Sequence, residues 1–247
     1  MSNPKDVIFS SHSVWDKPTR LFHWLNVILV FALTLLGIMM MFRTELGITE
    51  TSGRIGLKTL HVLFGYGFAI NLIIRIIWGF IGNKYARFGQ IIPSSKSLNA
   101  LKSDKAAVAA GNVPQYLGHS PKGKLAVFAV LLVLVTMMLT GLIRAGTDIY
   151  YPPFGGAVQS YIAADNVDAS SIKPYDPTGV NEEKANALKP LKGFTGEIHE
   201  MGFYLLLLLI VLHIFAVIYT EVNIQPGIIS AMFSGIKLIH GKAKDEE

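Results

Sequence analysis

Four of the seven histidines in this chain, His23, His61, His199 and His213, lie in or at the edge of long apolar runs. An imidazole in such a run can make an interhelical hydrogen bond, relay protons or bind a metal. His213 follows His199 by 14 residues, which is about 21 Å along a helix and close to four full turns. Both therefore look out of nearly the same helix face at two depths. Two depths with two histidines each is the arrangement that two haem irons require, because each iron takes two axial nitrogens.

The elements that must carry these residues follow from composition. The chain has 247 residues, of which 51% are hydrophobic and 16% charged. Its mean hydropathy is +0.43, well outside the range of soluble domains. Four stretches, 21–42, 58–81, 124–143 and 198–220, are long and apolar enough to cross a hydrocarbon core of about 30 Å. The first is expected to be retained, since it is longer than a signal-peptide core and no small-residue cleavage site follows it. The third has no ionisable residue after Lys124 and reads as scaffold. The expected fold is all-α: an integral membrane four-helix bundle in one domain, 1–247. No internal repeat divides it.

Charge sets the expected orientation. Lys84, Arg87, Lys96, Lys102, Lys105 and Lys122 lie between the second and third runs. The N-terminal arm adds Lys5, Lys17 and Arg20, and the C-terminal tail adds Lys237, Lys242 and Lys244. The positive-inside rule then puts both termini in the cytoplasm of a bacterial inner membrane. The net charge of +5 thus reports topology and not a nucleic-acid surface, because the basic residues collect in loops beside apolar helices. The connection 144–197 is then external, polar and rich in turn residues, suited to a docking cap or a disordered strand. Segment 226–240 is too short to span and mixes apolar residues with Ser230, Ser234, Lys237 and His240. It reads as a short amphipathic helix on the cytoplasmic face.

With this topology His23 and His213 fall near the cytoplasmic side, and His61 and His199 near the external side. The expected pairs are His23 with His213 and His61 with His199. Zinc would gather three or four ligands about one point. A proton relay would need polar groups between the depths, and residues 201–212 offer only Tyr204. Gly65, four residues after His61, and Gly202, three after His199, could leave room for a macrocycle, or could simply let helices pack closely. Arg75 follows His61 by 14 residues, on nearly the same face at the inner depth. There it could meet a haem propionate or snorkel to headgroups. His12, His119 and His240 fall in polar segments and are not expected to be axial ligands. The chain has no cysteine, so thiolate-held iron-sulfur clusters and covalent c-type haem are excluded, and any haem is b-type. Motifs for phosphate binding, dinucleotide binding and hydrolase chemistry are absent.

Several stretches resemble the b-type cytochrome subunit of membrane-bound nickel-iron hydrogenases, within the wider bacterial cytochrome b561 group. Val14-Trp-Asp-Lys-Pro-Thr-Arg-Leu-Phe-His-Trp-Leu25 is similar to the family's first-helix opening, and Leu60-His61 to the start of its second helix. Arg75-Ile-Ile-Trp-Gly-Phe-Ile-Gly-Asn-Lys-Tyr-Ala-Arg87 resembles its R-x-x-W-x-x-x-G-N-x-Y-x-R stretch. Gly118-His-Ser-Pro121 is similar to its turn before the third helix, and Ile229-Ser-Ala-Met-Phe-Ser-Gly235 to its tail. The spacing from His199 to His213 reproduces its ligand spacing.

The resemblance implies two b haems on His23, His61, His199 and His213, and electron transfer between a periplasmic redox partner and the quinone pool. That partner could be a hydrogenase, a multihaem cytochrome c or another oxidoreductase. Loop 144–197 is longer and more polar than the hydrogenase resemblance leads one to expect. Trp24, Asn26 and Arg20 are candidates for quinone contact. Two rival readings stay open: a stand-alone oxidoreductase that takes electrons from a small reductant such as superoxide and reduces quinone, and a haem-free anchor whose histidines only hydrogen-bond.

Overall fold

The computed structural model describes residues 9–246, so Lys5 of the basic N-terminal arm lies outside the described residues. In chain order the elements are β1 (Phe9–Ser13), α1 (Lys17–Met41), α2 (Thr51–Ile81), α3 (Phe88–Ile91), α4 (Ser95–Ala109), α5 (Pro121–Ile149), α6 (Gly155–Ile162), α7 (Glu182–Ala187), α8 (Lys189–Asn223), α9 (Ile228–Ser234) and β2 (Ile236–His240). Four long helices, α1, α2, α5 and α8, contain the four apolar runs and are long and apolar enough to cross a membrane. Their large apolar side chains are widely exposed, among them Phe31 at 70%, Phe80 at 69% and Phe215 at 69%. In water that surface would drive aggregation, whereas lipid solvates it.

The helices outrun the apolar stretches because polar residues cap and extend them. The Asp16 carboxylate accepts the backbone N–H of Thr19 at 3.0 Å, so α1 starts at Lys17. At α5 the Ser120 hydroxyl accepts the N–H of Gly123 at 3.2 Å, with Pro121 in the first turn. Helix α5 then continues past 143 through Arg144 to Ile149, and α8 begins at Lys189 rather than near 198.

The chain divides into two compact units. One comprises residues 25–72 and 133–206 and includes the connection between α5 and α8. That connection is ordered, unlike the disordered strand that its turn-rich composition allowed. The α6 helix ends where Asn181 N–H donates to Ile162 O at 2.7 Å and Ala164 N–H to Gly179 O at 3.0 Å. The Gln159 amide donates to Ile172 O at 2.9 Å. The side chains of Ile162 and Ile172, 3% and 2% exposed, give this cap its small core.

Among the described residues the other unit comprises 9–24, 73–132 and 207–246. Within it β1 and β2 form an antiparallel ribbon with Phe9 opposite His240 and Ser13 opposite Ile236. The fold is otherwise helical, as expected, and this short ribbon is an addition to it; the single helix over 226–240 is corrected. Gly235, at φ +84°, takes the left-handed conformation that ends α9. Beyond it the side chains alternate, with Lys237 and Ile239 buried and Ile236, Leu238 and His240 exposed. That period of two belongs to a strand. Val14, Trp15, Leu117, Ala231, Ile239 and Ala243 pack together as its core.

Two charged side chains of the tail clamp the turn before α5 from both polarities. The Lys237 ammonium donates to the carbonyls of Tyr116, Leu117 and Gly118 at 2.9, 3.0 and 3.0 Å. The Asp245 carboxylate accepts the N–H groups of Leu117 and Gly118 at 2.7 and 2.9 Å. Lys237→Met leaves three carbonyls unsatisfied, and hydrogen bonds to a charged group contribute about 1.5–3 kcal/mol each way. Limited proteolysis of the C-terminal segment in membranes should then run about tenfold faster or more than in the wild type. An unchanged cleavage rate would show that the clamp does not hold the tail.

Candidate functional site

Each histidine pair lies within one unit. In the unit that contains the α5–α8 connection, α2 brings His61 and α8 brings His199 to face one another with ring centroids 6.4 Å apart and planes at 73°. In the other, α1 brings His23 and α8 brings His213 together at 6.5 Å and 54°. Two imidazoles hydrogen-bonded to each other at about 2.9 Å would have centroids roughly 5 Å apart, so neither pair is joined directly. Among the described residues no three His, Cys, Asp or Glu side chains gather into a metal-binding group.

Around His61 and His199 is a cavity of about 480 Å³, within the range of cofactor sites. Its wall is mostly apolar, with Val30, Leu33, Phe68, Met137 and Phe203 among the lining side chains. Four glycines from four helices also line it: Gly37 on α1, Gly65 on α2, Gly141 on α5 and Gly196 on α8. A Cβ at Gly65 would meet no atom within 4 Å, so the space beside it is open to a ligand. Gly202 does something else. A Cβ there would lie 2.7 Å from the Met137 sulfur, so this glycine lets α5 and α8 approach closely and is not part of the cavity wall.

The lining also carries the charged side chains of Arg43, Lys58, Arg144, Asp148 and Glu200. Asp148 is shared by three cations: Lys58 at 2.9 Å, Arg144 at 3.0 Å and Lys192 at 3.5 Å. Its position four residues after Arg144 gives the helical i, i+4 pair. Two carboxylates, Asp148 and Glu200, against Arg43, Lys58, Arg144 and Lys192 leave a positive balance beside an apolar chamber, which suits an anionic group on an otherwise apolar ligand.

Thr140 on α5 was passed over in the sequence, where it is one hydroxyl in an apolar run. Its Oγ1 stands 2.8 Å from His199 Nδ1. The Nδ1 atoms of His61 and His23 are buried with no hydrogen-bond partner among the described residues.

Near His23, Trp24 stands edge-on at 5.0 Å, but its indole N–H donates to Met232 O at 3.0 Å and its ring stacks on Phe233 at 4.4 Å. Arg20 donates to Phe233 O. These two candidates for quinone contact thus dock α9, while the Asn26 Oδ1 atom is buried without a partner.

Arg75 is buried at 6% exposure, which removes the snorkelling alternative. Its Nη2 donates to Ala86 O at 3.0 Å, its guanidinium lies 5.8 Å from the Phe22 ring, and its Nη1 is buried without a partner among the described residues. His12 and His240 sit in the β-ribbon, and His119 packs 4.9 Å from Trp15. Burial, reinforced by the charges of Lys237, Arg75 and Lys124, pushes the His119 pKa down to about 3 and keeps it neutral. At Asp16 burial favours the neutral acid, but hydrogen bonds from Thr19 and Trp78 outweigh it and hold the carboxyl below its ordinary value.

The sequence profile of the prokaryotic cytochrome b561 family matches residues 14–235. The chain belongs to that family. It is similar to a probable nickel-iron hydrogenase B-type cytochrome subunit of Cupriavidus necator, 23% identical over 91% of this chain and 86% of the relative. Similar subunits from Escherichia coli K12 (23%, 92% and 91%) and Rhizobium leguminosarum bv. viciae (24%, 95% and 90%) cover it as fully.

This cytochrome b561 is therefore a multi-pass membrane b-type cytochrome of electron transfer, and its family implies haem b. The residues present fit that group. Imidazole nitrogen binds a transition metal at about 2.0 Å and its ring centroid lies about 1.1 Å behind, so two rings flanking one iron have centroids roughly 6 Å apart. Both pairs match this spacing.

Asp148→Asn removes the one carboxylate that three cations share. With its partners about one-third exposed, the loss lies between the surface and buried limits, about 1–2 kcal/mol. The detergent-solubilised protein should melt several degrees lower, whereas Lys192→Ala, which removes only the 3.5 Å contact, should barely move it. Equal melting of Asp148→Asn and wild type would contradict the network's structural role.

Proposed function

We propose that this cytochrome b561 is a di-haem subunit that carries electrons between a periplasmic redox partner and the quinone pool. The observation that supports it most is the pairing of imidazoles at 6.4 and 6.5 Å, each pair at the spacing of two axial ligands. Haem b, held at each pair, supplies reversible one-electron chemistry. His61 and His199 hold the external group, and His23 and His213 the cytoplasmic one. Gly37, Gly65 and Gly141 make room beside the external group. Arg43 and Arg144 attract its carboxylates.

Arg75 serves the cytoplasmic group in the same way, because its buried Nη1 needs an acceptor that none of the described residues supplies. The four long helices are read as a membrane bundle with both termini cytoplasmic, as the basic loops favour, and α9 as a short amphipathic helix at that face. On the other side of the membrane, the ordered connection between α5 and α8 forms the docking surface. The names of the relatives point to a hydrogenase as the partner.

His213→Ala should remove the cytoplasmic haem and leave most of the external one, and His61→Ala should do the reverse, as read by low-temperature α-band spectra of membranes. Loss of both haems in equal measure from either variant would argue against two independent pairs. Extraction in mild detergent should co-purify a larger redox subunit. Full quinone reduction by the isolated chain with a small reductant would instead favour the stand-alone oxidoreductase.

A further inference from the structure

Three contacts in the unit around His61 and His199 converge on one hydroxyl. Thr140 Oγ1 donates to the Thr136 carbonyl at 2.7 Å, the back-bond that a threonine makes one turn down its own helix, with Met137 O at 3.3 Å as a weaker second acceptor. A hydroxyl has one proton, and here the helix carbonyl takes it. Toward His199 Nδ1, at 2.8 Å, the oxygen can therefore only accept. The imidazole proton must then sit on Nδ1, which leaves the Nε2 lone pair free. Thr140 is 7% exposed, so bulk water has little access to either bond.

The backbone allows this contact because the neighbouring residue is Gly141, where a Cβ would stand 3.3 Å from His199 Cε1. The other ligand of this pair differs. His61 Nδ1 is buried with no partner among the described residues, so one ring of the pair is oriented and polarised by a hydrogen bond and the other is not.

We infer that Thr140 is the positioning residue of the external haem: it fixes the His199 tautomer and ring angle so that Nε2 faces the iron, and its oxygen lone pair makes that imidazole the more electron-donating of the two axial ligands. This rests on the reading of His61 and His199 as a haem-ligand pair. A metal-bound histidine whose second nitrogen donates to an acceptor is a stronger ligand, and loss of such a partner costs about 10–100-fold in metal affinity. Stronger donation also stabilises ferric iron, so the bond lowers the reduction potential.

The test compares Thr140→Val, Thr140→Ser and wild type as full-length protein in detergent. Redox titration followed by low-spin electron paramagnetic resonance reads the two haems separately, and transfer to excess apomyoglobin reads how tightly each is held. Thr140→Val keeps the side-chain volume but lacks the acceptor. Its external haem should titrate at a higher potential with an altered signal and be lost about 10–100-fold more readily, while the cytoplasmic haem stays as in wild type. Thr140→Ser restores the oxygen and should restore potential, signal and retention.

A Thr140→Val protein with wild-type potential, signal and retention overturns the inference, and so does Thr140→Ser behaving as Thr140→Val. Should Thr140→Val lose the cytoplasmic haem as well, the pair Thr140→Ala and Thr140→Ser makes the same comparison with a smaller side chain. A wild-type protein without an external haem sinks the ligand assignment itself, a result distinct from an unresponsive Thr140→Val.

Discussion

Two imidazoles cannot be left facing each other across an apolar gap without something between them. Their ring nitrogens are polar, water is scarce inside a membrane protein, and an unsatisfied buried polar group costs several kcal/mol. In this cytochrome b561 the gap occurs twice, with centroids 6.4 and 6.5 Å apart, too wide for a hydrogen bond between the rings and suited to an iron that both can ligate. The helices, glycines and charged rims make physical sense as the means of holding those four rings in place.

That demand explains why the long helices carry so few polar residues and where those few stand. The missing side chains of Gly37, Gly65 and Gly141 leave space beside His61 and His199, and the Thr140 hydroxyl stands 2.8 Å from His199 Nδ1. Positive charge is concentrated at Lys58, Arg144 and Lys192 around one shared carboxylate, and in the other unit at Arg75, buried with one nitrogen that finds no partner among the described residues. A buried cation is tolerated only with a partner. The β-ribbon and the Lys237–Asp245 clamp serve a different need, since they tie segments 9–13 and 236–245 to each other and to the turn before α5.

Much of this was legible in the residues because it rests on periodicity. Runs of about twenty apolar residues announce spanning helices, and the 14-residue step from His199 to His213 puts both on one helix face whatever surrounds them. Features decided by tertiary contact were not legible. Thr140 gives no signal, because a threonine in an apolar helix usually back-bonds and nothing more. Gly202 resembled a cavity residue by spacing, yet the residue across from it is Met137. Segment 226–240 reads as one amphipathic helix until Gly235 breaks it, and the partner strand, Phe9–Ser13, lies over two hundred residues away in sequence. The connection between α5 and α8 is polar enough to pass for disorder, and its order comes from a few backbone bonds and two buried isoleucines.

The central claim is that four histidines serve as two axial pairs. A pyridine haemochrome determination on the purified full-length chain, set against protein concentration from amino-acid analysis, tests it directly. The account predicts two b haems per chain. One haem per chain would contradict the pairing, and none would reduce the four histidines to interhelical polar contacts.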